Sequence, residues 1–161
     1  KPGFNSAGTV TAGNSSQLSD GAAAVIVASE AFAQRHESPL RARIVAQATA
    51  GVPPKEVFIA PVGAVHDVLA KANLKLSDID LIEMNEAFAA QSLACMRALG
   101  LDAARLNVHG GAIALGHPIG ASGARVLVTL MHTLAARGLR RGLVAVCLGG
   151  GNAVTMIIER A

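Results

Sequence analysis

Three places in this sequence of 161 residues put reactive side chains beside glycine or at the foot of a helix. The first is His117, inside Gly110-Gly111-Ala112-Ile113-Ala114-Leu115-Gly116-His117-Pro118-Ile119-Gly120-Ala121-Ser122-Gly123. Gly111 and Gly116 have the spacing of a phosphate loop. His117-Pro118 stands where Lys-Ser/Thr is required, so neither the phosphate-pairing ammonium nor the metal-binding hydroxyl is present, and that reading is excluded. Pro118 suits a first helical position and pushes His117 into an extended conformation. At a helix start the positive potential disfavours imidazolium, and a neutral ring can donate one N–H to a developing oxyanion. A lone loop histidine is more often structural. The surrounding glycines, which let backbone approach closely, tip the balance towards function.

The second place is Asn85, between an expected strand and an expected helix. One reading is an N-cap, a role asparagine fills well. The other has its carboxamide holding a water or a substrate oxygen. Glu86 beside it fits the positive end of a helix. The third is Cys147-Leu148-Gly149-Gly150-Gly151 at a strand end. A strand cysteine is usually buried and inert. Three glycines, however, exceed what a hairpin needs, and they leave Gly149 N–H free to face an oxyanion. A cysteine there could shuttle protons if its pKa is tuned towards neutrality. Cys95 lies at helical spacing with Phe88, Ser92 and Leu99 and reads as core. His36, His66, His109 and His132 read as surface or packing residues. No metal-ligand spacing is present, so no metal is expected.

The elements that must carry these groups alternate. Residues 1–21 are polar and read as a loop closed by Asp20-Gly21. Ala22–Ser29 is a continuous apolar run that suits a buried strand or an alanine-rich helix. A short helix is expected over Glu30–His36, a strand over Arg43–Thr49, and a helix over Gly63–Ala72, where Val65, Val68, Leu69 and Ala72 fall at helical spacing. A strand over Ile79–Met84 leads through Asn85 to a helix over Glu86–Leu99 that Gly100 stops. Ala124–Arg137 reads as a helix, and Leu143–Leu148 with Ala153–Glu159 as a hairpin. The fold class is therefore α/β, a mostly parallel mixed sheet covered by helices and ending in an antiparallel hairpin.

Composition narrows the partners. With 52% hydrophobic and 16% charged residues the chain can bury a core. Aromatics at 2%, with no Trp or Tyr, argue against a reader of single-stranded nucleic acid, which stacks bases on aromatic faces. The net charge of +3 includes a tight cluster at Arg137, Arg140 and Arg141, which reads as a solvated helix end and is compatible with a polyanionic ligand. Two cysteines do not make a disulfide framework, so a reducing, cytoplasmic setting is expected. No apolar run reaches a membrane span, and no membrane partner is expected. The opening reads as mid-protein, so any targeting segment would lie outside this chain.

At Asn-Glu-Ala-Phe (85–88), the glycine loop at 110–123 and Cys-Leu-Gly-Gly-Gly (147–151) the sequence resembles the thiolases, whose three motifs occur in this order and spacing. Thr11-Ala12-Gly13-Asn14-Ser15-Ser16 with Asp20-Gly21-Ala22-Ala23 resembles the end of the family's coenzyme A loop region. The resemblance implies two parts, 1–21 as the tail of that region and 22–161 as the C-terminal catalytic domain. It implies thioester exchange and Claisen chemistry on acyl-CoA substrates, with no resident cofactor. His117 would activate an acyl-accepting cysteine, Asn85 would hold an oxyanion-hole water, Cys147 would take a proton from the acetyl methyl group, and Gly149 N–H would serve a second oxyanion hole. Ser16 and Ala12 would lie along the pantetheine arm, with Ala87 and Phe88 near the thioester. The acyl-accepting cysteine is in neither Cys95 nor Cys147, so the resemblance implies a partner, the missing N-terminal half, and in the intact enzyme a homo-oligomer, dimer or tetramer. Val57-Phe58-Ile59-Ala60-Pro61 departs from the family's Met-Gly-x-Gly-Pro, and Gly63 stands where Pro is usual, at the acyl end of the site. The competing expectation is a noncatalytic acyl-CoA-binding or scaffold domain of the same fold.

Overall fold

Branched aliphatic residues at alternate positions build the centre of the molecule. In the computed structural model, which describes residues 1–161, four strands form one sheet: β1 (Ala42–Gly51), β2 (Leu81–Met84), β3 (Arg141–Leu148) and β4 (Asn152–Arg160). Their spatial order is β1-β4-β3-β2. Successive side chains of a strand face opposite sides, and β3 obeys this: Leu143 and Ala145 enter one core, Val144 and Val146 the other. The first core takes Val65, Val68 and Leu69 from helix α2 (Ala60–Ala72) and Cys95 and Leu99 from α3 (Ala89–Leu99). The second takes Val126, Leu130 and Leu134 from α5 (Ser122–Ala136), the longest helix. Two helical layers thus sandwich the sheet. The short helices α1 (Glu30–Arg35) and α4 (Ala112–Leu115) lie outside both cores.

The expected helices and strands occur with their ends moved by a few residues, and the terminal hairpin is present as β3–β4. Gly100 closes α3 in the left-handed region at φ 63, as its position suggests. The sheet is mixed, but within this chain the expected majority of parallel pairing is not found. Only β2–β3 is parallel, while β3–β4 and β4–β1 are antiparallel. The reason is that β1 docks on the far side of the hairpin and not beside β2.

Ala22–Ser29 is neither strand nor helix. It runs without regular structure, and Ile26 is 93% exposed, because no strand of the sheet lies alongside it to pair its backbone or cover its side chains. The other corrections fall at helix starts. α3 begins at Ala89, three residues later than expected, and α5 begins at Ser122, leaving Pro118 outside the helix. Pro118 instead opens the turn that leads into α5: its carbonyl accepts from Ala121 N at 2.8 Å and Ser122 N at 2.9 Å. No helix is long and apolar enough to cross a membrane.

Candidate functional site

The parallel pairing of β2 with β3 brings the candidate groups to one edge of the sheet. Asn85 follows the last residue of β2, and its N–H donates to the Ala145 carbonyl at 2.9 Å, continuing the ladder one step past the strand. Asn85 is not an N-cap. It is fully buried, and the residues after it stay outside α3, which starts at Ala89 after an extended Phe88. Two contacts hold them so. Ser16 donates from both its N–H (3.1 Å) and its hydroxyl (3.0 Å) to the Ala87 carbonyl, and Ser15 bridges to Phe88.

The Asn85 carboxamide meets the His117 ring, Nδ2 to Nε2, at 3.3 Å. On the other side of the ring, Nδ1 lies 2.6 Å from the Ser122 hydroxyl, which lies 3.1 Å from the Pro118 carbonyl. One assignment of protons satisfies the whole chain. Asn85 donates to Nε2, Nδ1–H donates to Ser122 Oγ, and Ser122 donates to Pro118 O. Ser122, in the first turn of α5, therefore fixes the tautomer that leaves Nε2 free to accept. Burial first, and then the Arg125 guanidinium, push the imidazole below its ordinary pKa and favour the neutral ring. The neutral histidine expected from a helix start is thus found in direction, with a different cause. Asn85 Oδ1 is buried with no partner in the chain, an uncommon condition that leaves it an acceptor for a bound group.

The N-terminal segment closes over this pair. His117 N–H donates to Gln17 O at 2.9 Å, and Leu18 bridges alongside. Gly116 has φ 95, and a side chain there would run into Ser19. Next to the ring an open cleft of about 360 Å³ is lined by Leu18, Ser19, Asp20, His117 and Ile119.

Cys147 is the penultimate residue of β3, two beyond Ala145, half-buried, on the side of the sheet that carries Ala145 and therefore α3. Its thiol makes no hydrogen bond to His117 or Asn85. Burial pushes its pKa up, with only a weaker lowering from a backbone hydrogen bond. A Cys147 tuned towards neutrality, as proton shuttling would favour, is therefore not found: the thiol is held protonated in this chain. Of the three glycines after it, two answer to the backbone. Gly150 and Gly151 have φ of 86 and 96, and a side chain on Gly151 would collide with Val52 O and Pro54. Gly149 has no such requirement. It is exposed, nothing crowds its α-carbon, and its N–H has no partner among the loop and turn hydrogen bonds.

Of the remaining candidates, Ala87 and Phe88 lie directly after Asn85 with Ser16 upon them. Phe88 packs edge-on against Phe4 (5.7 Å) and Phe58 (5.0 Å). Phe58 belongs to the segment that departs from the family pattern. Ala12 sits apart, exposed on a 3₁₀ turn over Ala12–Asn14. Sequence reasoning missed Ser122, Asn107 and Arg125. Ser122 was within reach of a local argument, five residues after His117. Asn107 and Arg125 give no local signal, because what they face comes from distant segments.

Comparison with known proteins gives this arrangement a family. The family model described as "Thiolase, C-terminal domain" matches residues 38–160, and "Thiolase, N-terminal domain" matches residues 1–31. The chain belongs to the thiolase family. The acetyl-CoA acetyltransferase of Pseudomonas aeruginosa is 56% identical over 160 residues, which are 99% of this chain and 41% of that protein. The Escherichia coli protein of the same name is 54% identical over an equal share. Among solved structures, the Bacillus anthracis acetyl-CoA acetyltransferase superposes with a TM-score of 0.97 at 48% identity, covering 100% of this chain and 41% of that one. Human mitochondrial 3-ketoacyl-CoA thiolase in complex with CoA superposes at 0.91 with 43% identity, covering 99% and 41%. This thiolase chain therefore spans about two fifths of the relatives it matches, corresponding to their C-terminal part.

Proposed function

We propose that this chain supplies the histidine, asparagine and second-cysteine part of a thiolase site, for thiolysis of 3-ketoacyl-CoA or its reverse, Claisen condensation of two acyl-CoA molecules. The N-terminal part of a complete thiolase supplies the cysteine that takes the acyl group. The observation that carries this reading is the Asn85–His117 contact at 3.3 Å, with the opposite ring nitrogen anchored on Ser122. An imidazole so held keeps Nε2 unprotonated, and Nε2 exchanges its contact with the Asn85 amide for the proton of the acyl-accepting thiol. The thiolate attacks the thioester carbonyl, and the resulting imidazolium offers Nε2–H to the oxyanion while Nδ1–H stays on Ser122. The same proton then leaves with the CoA thiolate.

Cys147 works on the other carbonyl, at the substrate α-carbon. Held as a thiol, it is ready to protonate the departing enolate in thiolysis; in condensation its thiolate takes that proton, with Gly149 N–H stabilising the enolate oxygen. The substrate class, acyl-CoA, is supported by relatives named acetyl-CoA acetyltransferase and by a neighbouring structure in complex with CoA. No resident cofactor enters this scheme, and in the intact enzyme we place the whole as a cytoplasmic homo-oligomer.

The test is complementation. Supplied with a thiolase N-terminal half, the chain should catalyse CoA-dependent loss of acetoacetyl-CoA, and His117→Ala and Cys147→Ala should each lower the rate by about 10²–10⁴-fold. Wild-type rates from either variant would refute the assignment. One observation favours a noncatalytic acyl-CoA-binding domain: the raised Cys147 pKa together with the absence of a hydrogen bond from its thiol to the pair. That reading predicts CoA binding with no turnover in the complemented protein.

A further inference from the structure

We propose that Glu86 is a positioning residue: its carboxylate ties the Asn85 loop to the glycine loop that carries His117, and so sets the gap between carboxamide and imidazole. The Glu86 side chain is bonded to neither group. Its Oε1 accepts from Asn107 Nδ2 at 3.1 Å, and its Oε2 accepts from Ile113 N at 3.2 Å, in the first turn of α4. Asn107 is itself fixed twice to the end of β2. Its Oδ1 accepts from Met84 N and its Nδ2 donates to Met84 O, both at 2.8 Å, so its carboxamide stands in for a strand on that edge. The backbone at Asn107 is left-handed, φ 46, a conformation asparagine tolerates better than most residues.

These bonds form one connected path. It runs from the Met84 backbone through Asn107 and Glu86 to Ile113, and from there along α4 to His117, four residues on. Asn85 is the residue between Met84 and Glu86. Gly111 completes the device: a Cβ there would stand well inside contact distance of the Glu86 carboxylate carbon and both oxygens, so the carboxylate occupies the space a side chain would need. The geometry excludes the simpler role of favouring the start of α3. That helix begins at Ala89, and the carboxylate is spent on Asn107 and on α4.

The role of the site rests on the thiolase reading above; the positional lock does not. The experiment therefore reads both, in the chain carrying a complete N-terminal domain. Histidine-selective ¹⁵N spectra of the wild type should show His117 predominantly as the Nδ1–H tautomer. Glu86→Ala and Gly111→Ala should both mix the tautomers, the first by removing the tie and the second by displacing it. For each, kcat should fall by roughly 10²-fold with KM for the acyl-CoA changed much less, as expected when reacting groups are misplaced by about 1 Å. Glu86→Gln, which keeps the shape and one acceptor oxygen, should recover at least about 10-fold of the kcat lost in Glu86→Ala; it also excludes unfolding as the cause. Unchanged imidazole ¹⁵N shifts and kcat in Glu86→Ala and Gly111→Ala would overturn the proposal. Mixed tautomers in a protein whose wild type turns over no thioester would leave the lock standing and refute the thiolase reading.

Discussion

Behind His117 the most unusual side chain is Glu83. It is 2% exposed on β2, its Oε2 has no partner, and burial lifts its pKa from 4.5 to about 7. Arg125 opposes that rise but makes no hydrogen bond to the carboxylate, and all three guanidinium nitrogens are buried without partners. The consequence for stability has a definite sign. Below pH 4.5 the carboxyl is protonated in both the folded and unfolded chain. As pH rises towards 7 the unfolded chain loses its proton first, so the folded state is progressively destabilised, and the loss is complete above about 7. His117 acts in the opposite sense: its lowered pKa makes stability rise with pH just below 6.5. A comparison of wild type with Glu83→Gln cancels the histidine. Across the window from pH 4.5 to about 7, wild type should lose roughly 3 kcal/mol relative to Glu83→Gln, read from urea unfolding at each end. Parallel pH profiles for the two proteins would mean that the Glu83 carboxyl has the same pKa in the folded and the unfolded chain.

At the scale of elements, the β3–β4 hairpin decides where Gly149 N–H points, and its glycines are not equivalent. Gly151 is buried at φ 96 against Val52 O, and its own carbonyl accepts from Val52 N at 2.8 Å, so the turn is bolted to the segment that follows β1. Gly151→Ala combines backbone strain with a steric clash and should cost about 2–4 kcal/mol in denaturant unfolding, whereas Gly149→Ala should stay within about 0.5 kcal/mol. Equal costs would show that the turn is held by something other than Gly151. This hairpin was legible in the sequence because apolar runs and three adjacent glycines are local signals. So were α2, with its helical spacing, and the end of α3 at Gly100. The shifted starts of α3, three residues late, and of α5, two residues early, were not legible. α3 is held back by Ser15 and Ser16, about seventy residues upstream, and by the Glu86 bonds to Asn107 and Ile113. In the site itself, motif and spacing picked out His117 and Asn85, while the groups that orient them, Asn107 above all, act through contacts that no local pattern encodes.

For the whole molecule, the apolar run over Ala22–Ser29 was legible as apolar but not as exposed. A continuous hydrophobic stretch normally implies burial, and here that expectation fails: Ile26 is 93% and Val27 79% exposed, with Leu18 (90%), Ile119 (72%) and Phe4 (80%) also open to solvent. Residues 1–31 match the family's N-terminal domain, and the chain spans 41% of the length of its relatives. Exposed apolar area of this kind drives association. The 161-residue chain by itself should therefore self-associate in a concentration-dependent way, seen as a rising weight-average mass in sedimentation equilibrium. Two lysines at the most exposed adjacent positions, Ile26→Lys and Val27→Lys, should shift it towards monomer without lowering its melting temperature, because neither side chain contributes to the core. The same pair should weaken complementation by the N-terminal half if that half covers this run. A monodisperse wild-type monomer at tens of micromolar would show that the run folds back or is solvated as it stands; retained association in the double variant would place the sticky surface elsewhere, around Leu18 and Ile119 beside the cleft.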